Sequence, residues 1–207
     1  MKRTSLVIAI ILLAAFTFCA AAQEADVEQP AAAKPAEQSD RVMIETVDVP
    51  LEFTGSFNWE TGEFTADVSE YEGAYIQITF KDVVVIGQAV VHRQKENYLL
   101  VTGNVRVEQK DFVLICDQVE YYTELEKLIG TGNVKVKTDD IDASSDEMIY
   151  LQKEEQVDFI GNVAAETKDA TIYGEHLIVL RPTNSIRFNG WFRVETKESE
   201  PAAQTGE

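Results

Sequence analysis

Residues Gly130–Asp140 read GTGNVKVKTDD. The core of that stretch, Gly132-Asn133-Val134, also occurs 29 positions earlier as Gly103-Asn104-Val105 and 29 later as Gly161-Asn162-Val163. A further step of the same size reaches Gly190. Regular recurrence at this length is the signature of stacked supersecondary units. Four copies can be laid over one another, starting at Ala74, Gly103, Gly132 and Gly161, and a fifth begins GWFRVETK at Gly190.

Three properties recur in the copies. The first is an acid, at Asp82, Asp111, Asp140 and Asp169, between two alternating apolar runs. A short carboxylate there can accept backbone amides two residues on and stabilise a tight turn. A metal site at Asp139, Asp140, Asp142 and Asp146 is the sharper alternative, but no Gly-rich calcium-loop spacing accompanies these acids. No metal is therefore expected.

The second property is a change of parity. Phe112 and Leu114 are even-numbered, whereas Val119 and Tyr121 are odd. Side chains alternate with period two along a strand, so both pairs can face one core only if the strand bends between them. The bend falls near Gly87, Cys116, Ser145 and Gly174, which are small, as a corner requires. Such a strand crosses from one sheet to another.

Thirdly, Leu128, Gly130, Gly132, Val134 and Val136 keep one parity through the Gly-Asn pair. Gly-Asn is thus read as a bend inside a continuous strand, its glycine making room for a neighbouring backbone, and not as a hairpin loop. The hairpins fall at QKEN, TELE, QKEE and RPTN. Ahead of the repeats, PLEFTGSFNWETGEFTADV reads as one more hairpin turning at Glu60-Thr61-Gly62, out of register, and serves as an N-terminal cap.

The flanks differ in composition. Lys2 and Arg3 precede an apolar run from Leu6 to Phe18 and then Ala20-Ala21-Ala22, the pattern of a cleavable secretory signal over residues 1–22. A retained membrane anchor is the alternative, although the run is short for a span. Phe18 stands where a small residue should precede Cys19 in a lipoprotein, which argues against lipidation. Residues 23–40 are rich in Ala, Pro, Glu and Gln and read as a linker, as do 198–207; the folded body is assigned to 41–197. Cleavage removes two cations and no acid, taking the formal charge from −18 to −20. That balance disfavours nucleic acid as a partner. One cysteine then remains, Cys116, flanked by Ile115 and set for burial as an inert thiol.

The repeated segments TGNVRVEQKDFVLICDQVEYY and GTGNVKVKTDDIDASSDEMIYL resemble the OstA-like domain of the LptA/LptC lipopolysaccharide-transport proteins. The likeness rests on GNV, the turn acid, a second acid (Asp117, Asp146 and Glu175) and an apolar-x-aromatic strand, over roughly Tyr75 to Lys197. The first copy departs from the pattern, with Ala74-Tyr75 for Gly-Asn and Gln88 for the second acid; the last reads Gly-Trp-Phe. The resemblance implies an all-β antiparallel jelly roll, open like a twisted V. It further implies a periplasmic carrier of lipopolysaccharide or a related glycolipid, whose lipid A acyl chains lie between the sheets on the way to the outer membrane. The inward set expected to bind lipid is Val105, Val107, Phe112, Leu114, Val119 and Tyr121, then Met148, Tyr150, Phe159, Val163, Leu177, Val179 and Phe188. For any one of these an ordinary core position is the simpler reading; only the array suggests a groove. The resemblance also implies edge-strand pairing with other jelly-roll domains of the bridge, or with further copies of this chain, and puts Trp191 and Phe192 at the docking edge.

Two other classes compete. A parallel β-helix enzyme could show a similar period, but His92 and His176 occupy different repeat positions and no acid pairs with a base or nucleophile. Neither a catalytic site nor a cofactor is therefore expected. A structural or adhesive exported β-protein would share the pattern without carrying lipid, and a membrane-anchored docking partner of the same transport system would keep Leu6–Phe18 in the membrane.

Overall fold

A computed structural model describes residues 42–80, 82–110, 112–183 and 185–197. The signal, the linker, the tail and the turn acid Asp111 lie outside the described residues. Six short strands come first: β1 (Met43–Val47), β2 (Ser56–Asn58), β3 (Glu63–Asp67), β4 (Tyr75–Phe80), β5 (Val83–Gly87) and β6 (Ala89–Arg93). Seven long ones follow: β7 (Tyr98–Gln109), β8 (Phe112–Tyr122), β9 (Lys127–Thr138), β10 (Ile141–Leu151), β11 (Gln156–Thr167), β12 (Ala170–Leu180) and β13 (Ser185–Thr196). A single 3-10 turn, Gln94–Glu96, is the one helical element among the described residues.

All pairings are antiparallel, and hydrogen bonds join the strands into one open, unclosed sheet. From β7 to β13 each strand pairs with its sequence neighbour. At β7 the sheet forks: Tyr98–Thr102 pairs with β6, and Arg106–Gln109 pairs with β5. Beyond the fork, β6-β3-β2 and β5-β4-β1 are separate arms. The long strands therefore run through both layers of the expected V, while the short ones each belong to one arm.

Burial follows the parity switch. Phe112, Leu114 and Cys116 are buried on the even positions of β8, then Val119 and Tyr121 on the odd ones. At the corner the small side chain donates to a carbonyl two residues ahead: Cys116 Sγ to Gln118 O at 3.2 Å, and Ser145 Oγ to Glu147 O at 2.8 Å. Glycine at the matching position of β12 is required by space, since a Cβ on Gly174 would stand 2.8 Å from the carbonyl oxygen of Trp191. Burial pushes the Cys116 thiol up to about 12, so it is unreactive at neutral pH.

The Gly-Asn pair is a bulge inside a continuous strand. Thr131 and Val134 of β9 pair with Glu147 and Ser145 of β10, so Gly132-Asn133 stands opposite the single residue Asp146. Both bulge residues are left-handed, with φ of 78° at Gly132 and 49° at Asn133, and the other two copies agree. Glycine takes this conformation freely and asparagine tolerates it. The room that glycine leaves is filled otherwise than the sequence suggests. A Cβ on Gly132 would collide with the Asp117 carboxylate of the preceding strand, and one on Gly161 with that of Asp146. Asn133 and Asn162 donate their side-chain amides to these same carboxylates, each at 2.8 Å. The second acid and Gly-Asn therefore form one cross-strand unit. Glu175 fills the place over Gly190, and Gln88 over Gly103.

Tight turns close the opposite strand ends where the first acids were expected. In two of them a threonine hydroxyl receives the backbone: Thr138 Oγ1 accepts from Asp140 N and Ile141 N, and Thr167 Oγ1 from Ala170 N, at 3.1–3.2 Å. The Asp82 carboxylate instead accepts from the side chain of Gln109 at 3.0 Å. The hairpins at QKEN, TELE and QKEE stack on one another. TELE, QKEE and the next hairpin, which begins at Arg181, each pass an amide back to the left-handed residue of the hairpin before: Thr123 N to Asn97 O at 2.9 Å, Gln152 N to Glu126 O at 3.0 Å, and Arg181 N to Glu155 O at 3.2 Å. The cap hairpin turns where expected, with Asn58 Oδ1 accepting from Glu60 N and Thr61 N.

Candidate lipid groove between the layers

Between the two layers of β8–β13 lies a cavity of about 650 Å³. Phe112, Val136 and Ile141 line it from the layer that carries the tight turns. Leu128, Met148, Tyr150, Val157, Phe159 and Val179 line it from the layer that carries the stacked hairpins. These side chains point inward because each occupies the buried parity of its half-strand, and the corner turns the two half-strands towards each other. The volume falls in the range of about 300–1,000 Å³ typical of small-molecule sites, and a predominantly apolar lining with a few polar groups is usual for them.

Of the thirteen residues singled out for lipid, Phe112, Met148, Tyr150, Phe159 and Val179 border this cavity. Val105, Val107, Leu114, Val119, Tyr121, Val163 and Leu177 are buried in the same continuous core but do not line it. Phe188 is half-buried on β13 and stacks on Phe192, with ring centroids 4.5 Å apart. The structure adds Leu128, Val136, Ile141 and Val157 to the lining. Repeat register could have found two of them: Val136 is one period after Val107, and Ile141 one period after Phe112.

The rim is polar and of mixed charge. Asp140, Lys168 and Asp169 stand on the tight-turn side, and Glu155 and Arg181 on the hairpin side. Arg181 hydrogen-bonds the Tyr150 hydroxyl; burial, the larger effect, raises the Tyr150 pKa and the nearby guanidinium opposes it. Tyr121, one period before Tyr150, is pushed up to about 12, chiefly by burial.

Among the described residues no three His, Cys, Asp or Glu side chains are placed to hold a metal ion. Two of the acids weighed for that role have other partners: Asp142 lies 4.0 Å from Lys137, and Asp146 accepts from Asn162. The two histidines are far apart in the fold. His92 borders a second cavity of about 60 Å³ near β1 and β5, and burial lowers its pKa. His176 lies 3.5 Å from Asp158 and 3.3 Å from Asn189 on the β11–β13 surface.

The last strand is an edge. β13 pairs with β12 along one side, and no strand among the described residues covers its other side. Trp191 is 60% exposed and Phe192 51%. At the far end of the sheet, no strand among the described residues covers one side of β1.

Comparisons with known proteins give partial matches. Residues 85–185 match the family described as LptA/(LptD N-terminal domain) LPS transport protein. No curated protein matches the chain. Among solved structures it is similar to LptH of Pseudomonas aeruginosa, the LptA homologous periplasmic component of a lipopolysaccharide transport device. That similarity has 14% identity and a TM-score of 0.49, and covers 57% of this chain and 95% of that one. The likeness to the LptA/(LptD N-terminal domain) family of LPS transport proteins thus extends over just under half of the chain.

Proposed function

We propose that the chain is a periplasmic carrier that holds lipopolysaccharide or a related glycolipid by its acyl chains in the cavity between the layers, and passes it towards the outer membrane. The observation that carries this reading is an apolar cavity of about 650 Å³, held open between layers whose backbone polar groups are already paired within the sheet. Exposing an acyl chain of a dozen carbons to water costs about 0.8 kcal/mol per methylene, or roughly 10 kcal/mol. An apolar slot between the layers offers a comparable gain on binding. The role is transport, without catalysis.

The unpaired edge supports the second half of the proposal. A twelve-residue edge strand is an aggregation hazard unless something pairs with it. β13, with Trp191 and Phe192, is assigned as the strand to which another jelly-roll domain of the bridge, or a second copy of this chain, adds. Export with cleavage after Ala22 completes the reading.

Native mass spectrometry of the protein recovered from the periplasm tests the carrier role. Bound glycolipid is the expected result; a lipid-free protein would support a structural or adhesive role instead. Crosslinking from position 191 tests the edge, and capture of neither this chain nor a related transport domain would remove it. N-terminal sequencing of the exported protein separates a free carrier from an anchored docking partner.

A further inference from the structure

We infer that the groove selects a glycolipid whose phosphate is capped by an amine, in preference to the same lipid with bare phosphates. The inference rests on the lipid-carrier reading of the cavity and names the headgroup that this particular rim fits. Three carboxylates, Asp140, Glu155 and Asp169, border the cavity beside two cations, Lys168 and Arg181. A phosphate monoester carries a charge of about −1.5 to −2 near neutral pH. Placed at this rim, a bisphosphorylated head meets more carboxylates than cations, on a chain whose formal charge is already −18. An amine cap turns each phosphate into a diester and adds an ammonium group. The remaining phosphate charge then suits Lys168 and Arg181, and the ammonium suits the three acids. Both signs of the rim find a partner, which like-charge juxtaposition denies to the bare lipid. The rest of the lining is mostly apolar and carries no charge, so the discrimination comes from the five charged groups.

Competition on the full exported chain tests this. A fluorescent lipid A is displaced either by bisphosphorylated lipid A or by the same molecule with ethanolamine-capped phosphates. The capped lipid is expected to compete at roughly 5- to 10-fold lower concentration at low salt, the size of a few exposed charge contacts. The preference should shrink as added salt screens the rim. Combining Asp140→Asn, Glu155→Gln and Asp169→Asn should bring the two lipids within about 2-fold of each other, read as the ratio of their competing concentrations whatever the change in absolute affinity. Equal or tighter binding of the bare lipid overturns the inference and leaves the carrier reading intact, as does a preference insensitive to salt. Failure of both lipids to compete overturns the carrier reading, and the headgroup assignment with it.

Discussion

Between β4 and β7 the layers meet through Val68, Ile76, Val90, Val101 and Val105, none more than 1% exposed, whereas between β8 and β13 they stand apart around the large cavity. The corner is the same in both regions; what differs is how the two layers are supplied. In the N-terminal region separate short strands make each arm, and Val68 and Ala74, at the two ends of a loop, are buried in the same core, with Val68 N donating to Gln88 O at 2.8 Å. The fully buried residues where the arms meet are all valine or isoleucine, which fill little space, so the arms can close. In the C-terminal region every strand is shared by both layers, no intervening segment enters among the described residues, and Met148, Tyr150 and Phe159 face the gap. A sealed core and an open slot thus come from one sheet by changing strand continuity and side-chain size.

That comparison can be broken by substitution. Leu114, fully buried and away from the cavity, should lose about 4 kcal/mol on Leu114→Ala, whereas Met148→Ala at the cavity wall should lose about 2 kcal/mol, because truncation there enlarges an existing space instead of opening a new one. Urea denaturation of the two variants checks the difference; equal losses would mean that the slot is closed in solution. Next in size, Gly132→Ala should cost about 2–3 kcal/mol, from the left-handed backbone and the collision with Asp117 together. In an Asp117→Ala background the cost should fall to about 1–2 kcal/mol, the backbone part alone.

A third test is chemical. Because the Cys116 thiol is pushed up to about 12, its contribution to stability is full below the ordinary thiol range and lost as pH rises from about 9 to about 12. Iodoacetamide at pH 8 should leave the folded chain unmodified and label it in urea; Cys116→Ser should flatten the alkaline loss. The smallest effect is expected at the stacked hairpins. Glu126 has φ of 48°, and Glu126→Gly should raise stability by about 0.5 kcal/mol, measured as a small upward shift of the urea midpoint.

Strand continuity was legible in the sequence because parity is a one-dimensional property. The switch between Leu114 and Val119, and its absence through Gly132, could be read without knowing any partner strand. What filled the space over the glycine could not. Asp117 and Gly132 are fifteen positions apart and meet only once the cross-strand register is fixed. The groove was half legible for the same reason. Val105 and Phe112 share the inward pattern, but only Phe112 borders the cavity, since layer separation depends on every side chain between the arms. The charged rim was missed altogether: Asp140 and Asp169 read as turn residues, and nothing along the chain brings them to the same opening as Arg181.

The amide handed from each hairpin to the one before has a consequence for ancestry. From Thr123 onwards every unit presents the acceptor its successor needs, so the sheet has no built-in length. A duplicated copy of residues 132–160 would slot in as one more pair of strands and extend the molecule by about 10 Å. Growth by tandem copying would leave both ends unchanged, and relatives of different span could arise from a single ancestral hairpin.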